Sequence, residues 1–273
     1  LFPFQPSMTA ESVVVSKDLL KHWVERDSFV ASLVKAIEED EEVRELLYMS
    51  NVNAVLRLGY NDHGPVHAKI VAGTALELMR LLALRGASFS SLQHDTAANL
   101  DDVKLILVAS SYLHDIGNAV HRDFHELIGA ILAKDIVDRV IDRVRPGIGA
   151  RKIRLRQEVL SAIYSTAMEA KPLTVEASIV RLADGLDMSE GRARLPYKLG
   201  KHDMHSLSAL SIRKVELRPG AETPIEVLVY MSDMAGFFQV ERVLMPKIEG
   251  GKLKGLVKVF VFSERDGRSI TLA

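Results

Sequence analysis

NLDDVKLILVASSYLHDIG, residues 99–117, opens on acidic residues, is apolar through most of its body, and closes on His114-Asp115 and Gly117. Asp101 and Asp102 suit the positive end of a helix dipole, and Gly117 suits its stop. A helix with so apolar a body is one buried among other helices. A carboxylate at the end of such a helix is costly unless it is paired or bound to a cation. The stretch therefore predicts a helical bundle with a polar site at the end of a central helix.

The segments on either side keep the helical period. Upstream, SKDLLKHWVERDSFVASLVKAIEEDEEVRELLYMS reads as two or three amphipathic helices with Ser16 and Ser28 as caps. YNDHGPVHAKIVAGTALELMRLLALRG places Pro65 at a first helical position and Gly86 at the stop, so His67 falls in a first turn. Downstream, VHRDFHELIGAILAKDIVDRVIDRVRPG predicts a long amphipathic helix with Leu127, Ile131, Val137 and Val140 at helical spacing and His121 and His125 on one face. A further helix is expected over about 152–170. Another covers TVEASIVRLADGLDMSEGRARL, with Ile179, Leu182, Ala183 and Leu186 inward and Asp184 and Asp187 as near neighbours.

Beyond about residue 211 the period shortens. ALSIRKVELRPG and TPIEVLVYMS predict paired strands joined at Pro219-Gly220, followed by a helix from about Ala235 and the strand LVKVFVFS. The expected organisation is an all-α domain with N-terminal helices over residues 1–200 and an α+β module over 201–273. LFPFQPS, ahead of Met8, reads as an expression remnant or a displaced start.

Composition narrows the chemistry. With 35 Lys plus Arg against 36 Asp plus Glu, the formal charge is -1, so no global field draws the chain to nucleic acid or an anionic membrane. The absence of cysteine removes disulfides, thiolate nucleophiles and Cys-based zinc sites, which leaves His and carboxylates as the strong metal ligands and suits a reducing cytoplasm. There is no apolar run long enough for a membrane span and no export signal pattern, so a cytoplasmic location is expected. Scarce Asn and Gln fit a thermophile, while nine Met do not. No Gly-rich nucleotide-binding loop is present, so phosphate is expected as substrate and not as fuel. Trp23 and Phe237-Phe238 sit at amphipathic positions and read as core or interface anchors, which leaves a homodimer open.

The chain contains three His-Asp dipeptides, at His94-Asp95, His114-Asp115 and His202-Asp203. The setting of His114-Asp115 sets it apart: an apolar helix before it, His67 on a separate upstream helix, and Ala183-Asp184-Gly185-Leu186-Asp187 inside a third. This H…HD…D pattern resembles the HD superfamily of metal-dependent phosphohydrolases. The strings YNDHGPVH, LHDIG, HELIGA and IVRLADGLDMSEGRARLP resemble most closely the archaeal-type branch. The resemblance covers roughly residues 50–200 and extends to the strand-rich C-terminal module.

The fold it implies is mainly α, an HD-domain helical bundle with a smaller C-terminal α+β module. It implies one divalent ion held by His67, His114, Asp115 and Asp184, with Mn, Ni, Co, Fe, Zn and Mg not distinguished. Such a cation lowers the pKa of its water and neutralises phosphate oxygens, so a small phosphorylated metabolite or nucleotide can be hydrolysed without a protein nucleophile. Asp115, His121 and His125 are the candidate catalytic groups. Dinuclear relatives use a His just before a Gly-Ala pair, as His125 is here, but the further His they carry is replaced around Tyr164 and Ser165, which favours one metal over a second at His121/His125. Asn118 stands where many HD proteins have a lysine, so phosphate must be gripped elsewhere, with Arg122, Arg181, Arg192 and Arg194 as candidates. Asp187, Asn61 and His63 are expected behind or beside the ligands. The competing class is a non-catalytic HD-type metal or nucleotide-binding sensor or regulatory protein.

Overall fold

The computed structural model describes residues 12–188, 208, 210–265, 267 and 269–272. Three short helices come first: α1 (Lys17–Arg26), α2 (Ser28–Glu38) and α3 (Glu41–Asn51). The cap of α2 is Asp27 and not Ser28, because its carboxylate accepts from both the Phe29 and Val30 N–H groups at 3.0 Å, a reach that serine at position 28 does not have. Ser16 stands at the cap position of α1 without a side-chain hydrogen bond. A wide π-type turn, Val52–Arg57, continues α3.

Five longer helices and one short one build the rest of the bundle: α4 (Pro65–Leu84), α5 (Ser90–Gln93), α6 (Leu100–Leu113), α7 (His125–Val144), α8 (Arg151–Tyr164) and α9 (Val175–Leu186). Gly86 takes a φ of +71° just past α4, the left-handed conformation that stops a helix at little cost to glycine. Helix α6 packs against α2, α4, α8 and α9, and its residues from Leu105 to Leu113 are all buried. Each fully buried Leu or Ile there contributes roughly 1.5–3 kcal/mol of transfer free energy, so α6 is the hydrophobic axis of the fold. In α7 the buried stripe is Ala133, Ile136, Val137, Val140 and Ile141, whereas Leu127 and Ile131 face solvent.

Helix α7 also starts later than its pattern suggests. Its first residue is His125, preceded by Phe124 at a φ of +60°. His121 therefore lies on the turn before the helix and does not share a helical face with His125.

Four strands of the C-terminal part and one from the N-terminal end form a five-stranded sheet, so the term all-α does not describe the chain. Strands β1 (Val13–Val14), β2 (Ile212–Pro219), β3 (Ile225–Met231), β4 (Val257–Ser263) and β5 (Ser269–Leu272) lie in sequence order. The pairs are antiparallel except β3–β4, which is parallel and crosses over through the helical stretch 234–249, here α10. The chain's first described strand thus forms one edge of the sheet, with Val13 opposite Leu217. One continuous buried cluster runs from the bundle into the sheet, and Arg85 at the end of α4 donates to the Gly220 and Ala221 carbonyls of the β2–β3 turn. Among the described residues no helix is long and apolar enough to cross a membrane.

Asp27 offers a test of the bundle. Burial pushes its carboxyl up, but Lys104 at 2.6 Å and the two capped N–H groups outweigh this and hold it below the usual carboxylate range. Asp27→Ala is expected to cost about 2 kcal/mol, lowering Tm by about 4–8 °C in a chain of this size. A carboxyl depressed in the folded state stabilises above its unfolded pKa and loses that contribution as pH falls. The gap between variant and wild-type melting curves should therefore close in acid.

Candidate metal centre

Each polar residue of the centre is placed by a specific piece of backbone. Pro65 fixes the first turn of α4, and His67 follows two residues on, fully buried. His114 caps the C-terminus of α6, and Asp115 begins the 3-10 turn Ile116–Ala119. Asp184 lies in the last turn of α9, three residues before Asp187. Three helix ends meet here, which is how a bundle without cysteine opens a polar space inside an apolar core.

Four donor atoms converge. His67 Nε2 lies 3.2 Å from His114 Nε2, 3.4 Å from Asp115 Oδ2 and 3.2 Å from Asp184 Oδ1. His114 Nε2 lies 3.3 Å from Asp115 Oδ2 and 3.6 Å from Asp184 Oδ1. Donors bound about 2.1 Å from a common cation lie about 3.0–3.4 Å from their neighbours, a range that the His67, His114 and Asp115 spacings match, while Asp184 Oδ1 lies at 3.2 and 3.6 Å from the two imidazoles. Among the described residues, His67, His114 and Asp115 form the group whose donor atoms all lie within 4.8 Å of one another. Asp115 Oδ2 is buried and accepts no hydrogen bond, a costly state that a cation at this point would relieve.

The remaining atoms of the same side chains fix the tautomers. His67 Nδ1 donates to Asp187 Oδ2 at 2.7 Å, and His114 Nδ1 donates to the Ser111 carbonyl at 2.9 Å. Both rings therefore turn Nε2 toward the common point. Asp115 Oδ1 accepts from the Asn118 amide at 3.1 Å, which leaves Oδ2 to face the imidazoles. Ser50 Oγ donates to the Asp115 carbonyl, and Asn53 donates to the Asn118 and Ala119 carbonyls, so α3 and its π-type continuation brace the turn.

Electrostatically the centre is built for positive charge. Burial alone would lower His114, but the Asp115 and then the Asp184 carboxylates outweigh it and raise the imidazole to about 10. Burial would raise Asp115, yet His114 and then His63 hold it well below the carboxylate range. Asp184 is likewise depressed against its burial, chiefly by Lys247. The carboxylates that raise His114 are the same groups that favour a cation at this point.

The other candidates spread around this core. His63 is buried, its ring centroid 6.1 Å from that of His67, and its Nδ1 donates to the Asn61 carbonyl. The Asn51 side chain pins this loop by accepting from the His63 N–H and donating to Asp62. His125 Nδ1 donates to the Arg122 carbonyl, and its Nε2 lies 3.5 Å from Asp115 Oδ1 and 3.2 Å from Arg122 Nη1. Arg122 also donates to Asn118 and covers the Tyr60 ring at 5.4 Å.

His121 is exposed, and its Nδ1 accepts from the Asp123 N–H, which turns it to its own loop. Arg181 needs a correction as a phosphate ligand. It is buried, and its two terminal nitrogens donate to the carbonyls of Ser165, Ala167, Met168 and Ala170, so the fork that would grip phosphate closes the turn after α8 instead. Arg192 and Arg194 lie outside the described residues.

Two contributors escape sequence reading. Asn118, legible only as a missing lysine, is the group that orients Asp115. Lys247 comes from the C-terminal module, 63 residues after Asp184, and its Nζ lies 2.5 Å from Asp184 Oδ2. No motif or period links those two positions. The nearest signal was a lysine inside an otherwise apolar helical run.

A buried His-His-Asp group at the junction of three helix ends defines a helical metal-site domain of the HD kind, and residues 66–189 match the HD domain family. The chain is also similar to "Uncharacterized protein MJ1020" of Methanocaldococcus jannaschii, with 41% identity over 228 residues, 84% of this chain and 87% of that protein. The chain belongs to the HD superfamily, whose members are mostly metal-dependent hydrolases and bind divalent metals. No solved structure matches it.

Proposed function

We propose that the chain is a divalent-metal phosphohydrolase acting on a small phosphorylated metabolite or nucleotide. The observation that carries this reading is the buried group His67 Nε2, His114 Nε2 and Asp115 Oδ2, with Asp184 Oδ1 beside both imidazoles. A divalent cation held there supplies Lewis acidity and an activated water at neutral pH.

The chain's own groups do the rest. Asp187 and the Ser111 carbonyl keep both imidazoles in the ligating tautomer. Asn118 keeps Asp115 turned inward. Arg122, whose guanidinium reaches both Asn118 and His125, is the fork placed to hold phosphate oxygens. His125, with Nδ1 tied to a carbonyl and Nε2 beside Asp115, is the group placed to pass a proton to the leaving oxygen. The Asn118 amide on Asp115 Oδ1 supports a single ion, because a second one near His125 would compete for that oxygen.

The test is hydrolysis of p-nitrophenyl phosphate, its bis ester, and a panel of nucleotides and sugar phosphates by chelator-stripped protein. Turnover is expected to be absent after stripping and restored by at least one of Mn, Ni, Co, Fe, Zn or Mg. A protein that binds metal yet hydrolyses none of the panel would instead be a non-catalytic metal or nucleotide-binding sensor or regulatory protein.

A further inference from the structure

The position after Gly117 carries no lysine, yet a fixed ammonium does lie at the centre. Lys247, on α10, is almost fully buried and reaches Asp184 Oδ2 at 2.5 Å. Gly185 makes room for its stem, because a Cβ there would lie 2.7 Å from Lys247 Cδ and 3.5 Å from Cε. The Asp184 carboxylate is thereby divided. Oδ1 faces His67 and His114 at 3.2 and 3.6 Å, and Oδ2 faces the lysine.

We propose that Lys247 is a positioning residue of the metal centre, delivered by the C-terminal module. It holds Asp184 so that Oδ1 alone faces the cation, and it leaves the loaded site one unit more positive toward phosphate. This rests on the phosphohydrolase reading and gives the C-terminal module a chemical task within it. A buried lysine and a partly buried carboxylate are tolerable here because they pair. The same pairing sets the lysine against the metal: an ammonium beside Asp184 repels a divalent cation and withholds one carboxylate oxygen from it. Removing the ammonium relieves both effects, so the sign of the change separates this role from that of a structural brace.

The experiment is calorimetric titration of the stripped full-length chain with Mn2+, alongside inhibition of p-nitrophenyl phosphate turnover by inorganic phosphate. Lys247→Met, which removes the repulsion between the ammonium and the cation, is expected to bind Mn2+ at least about tenfold more tightly and to respond roughly tenfold less to inorganic phosphate. Lys247→Arg, which restores the charge, should bring both values back toward wild type. Gly185→Ala pushes the stem aside without changing the charge of the chain, and should shift Mn2+ binding in the same direction. It carries the test if Lys247→Met does not fold. Unchanged or weaker Mn2+ binding in Lys247→Met and Gly185→Ala would overturn the role of the lysine alone. A wild-type chain that neither binds Mn2+ nor hydrolyses the ester would overturn the phosphohydrolase reading and this inference together.

Discussion

Asp115→Ala is expected to lower phosphate-ester turnover by at least about 10³-fold and to strip the centre of its metal, while the helical circular dichroism persists. Asp115 acts through both oxygens. Its Oδ2 lies 3.3–3.4 Å from the two imidazole Nε2 atoms, and its Oδ1 receives Asn118 beside His125. Removing it leaves His67 and His114 with one carboxylate between them. Because burial disfavours Asp115's own charge and His114 offsets that cost, removal relieves a desolvation penalty as it removes an attraction. The fold should therefore lose less than the site does. Metal content by elemental analysis and kcat on a chromogenic ester together check this. Full metal occupancy with unchanged kcat in the variant would remove Asp115 from the chemistry.

Gly117→Ala is expected to damage fold and site at once. A Cβ at this position would lie 1.9 Å from the His125 carbonyl oxygen and 2.6 Å from the Gly129 nitrogen, both backbone atoms that no rotamer can move aside. The turn after Asp115 and the first turn of α7 touch backbone to backbone, so one added methyl must push the helix bodily away. A displacement of that kind costs about 3 kcal/mol or more, which lowers Tm by at least about 6 °C. It also moves His125 and Arg122 away from Asp115, so kcat should fall even at temperatures where the variant is folded. Thermal unfolding and assay below the transition separate the two losses. A melting temperature within 2 °C of wild type, on the order of the scatter expected for surface changes, would show that the contact is looser than drawn.

These two residues also show how far the sequence could be read. Asp115 was legible because a carboxylate at the end of an apolar helix is an energetic anomaly, and anomalies point to pairing. The His67, His114 and Asp184 positions were legible through helical spacing and the family pattern, because each sits where a helix begins or ends. Gly117 was legible only as a helix stop, since its close approach to α7 depends on a tertiary crossing. His121 was placed on a helix by its spacing from His125, but Phe124 in a left-handed conformation starts the helix four residues later. Arg181 kept its place near Asp184 and lost its expected task, because four carbonyls in the turn after α8 take the hydrogen bonds of its terminal nitrogens. Lys247 depended on a contact between distant segments, and strand β1 was too short to leave a period.

That brief strand has a consequence for how the molecule assembles. Pairing Val13 with Leu217 ties together points about 200 residues apart, and closing a loop of that length costs about 5 kcal/mol of chain entropy, while each backbone hydrogen bond returns only about 1 kcal/mol net. Two residues cannot meet that cost unaided. The seam closes only once the bundle has already brought both ends to the same place, helped by the near contact of α1 and α4 backbones at Gly73 and Leu20. Zipping of this margin is thus a late event in folding, and under load or heat it is the first stitch to give.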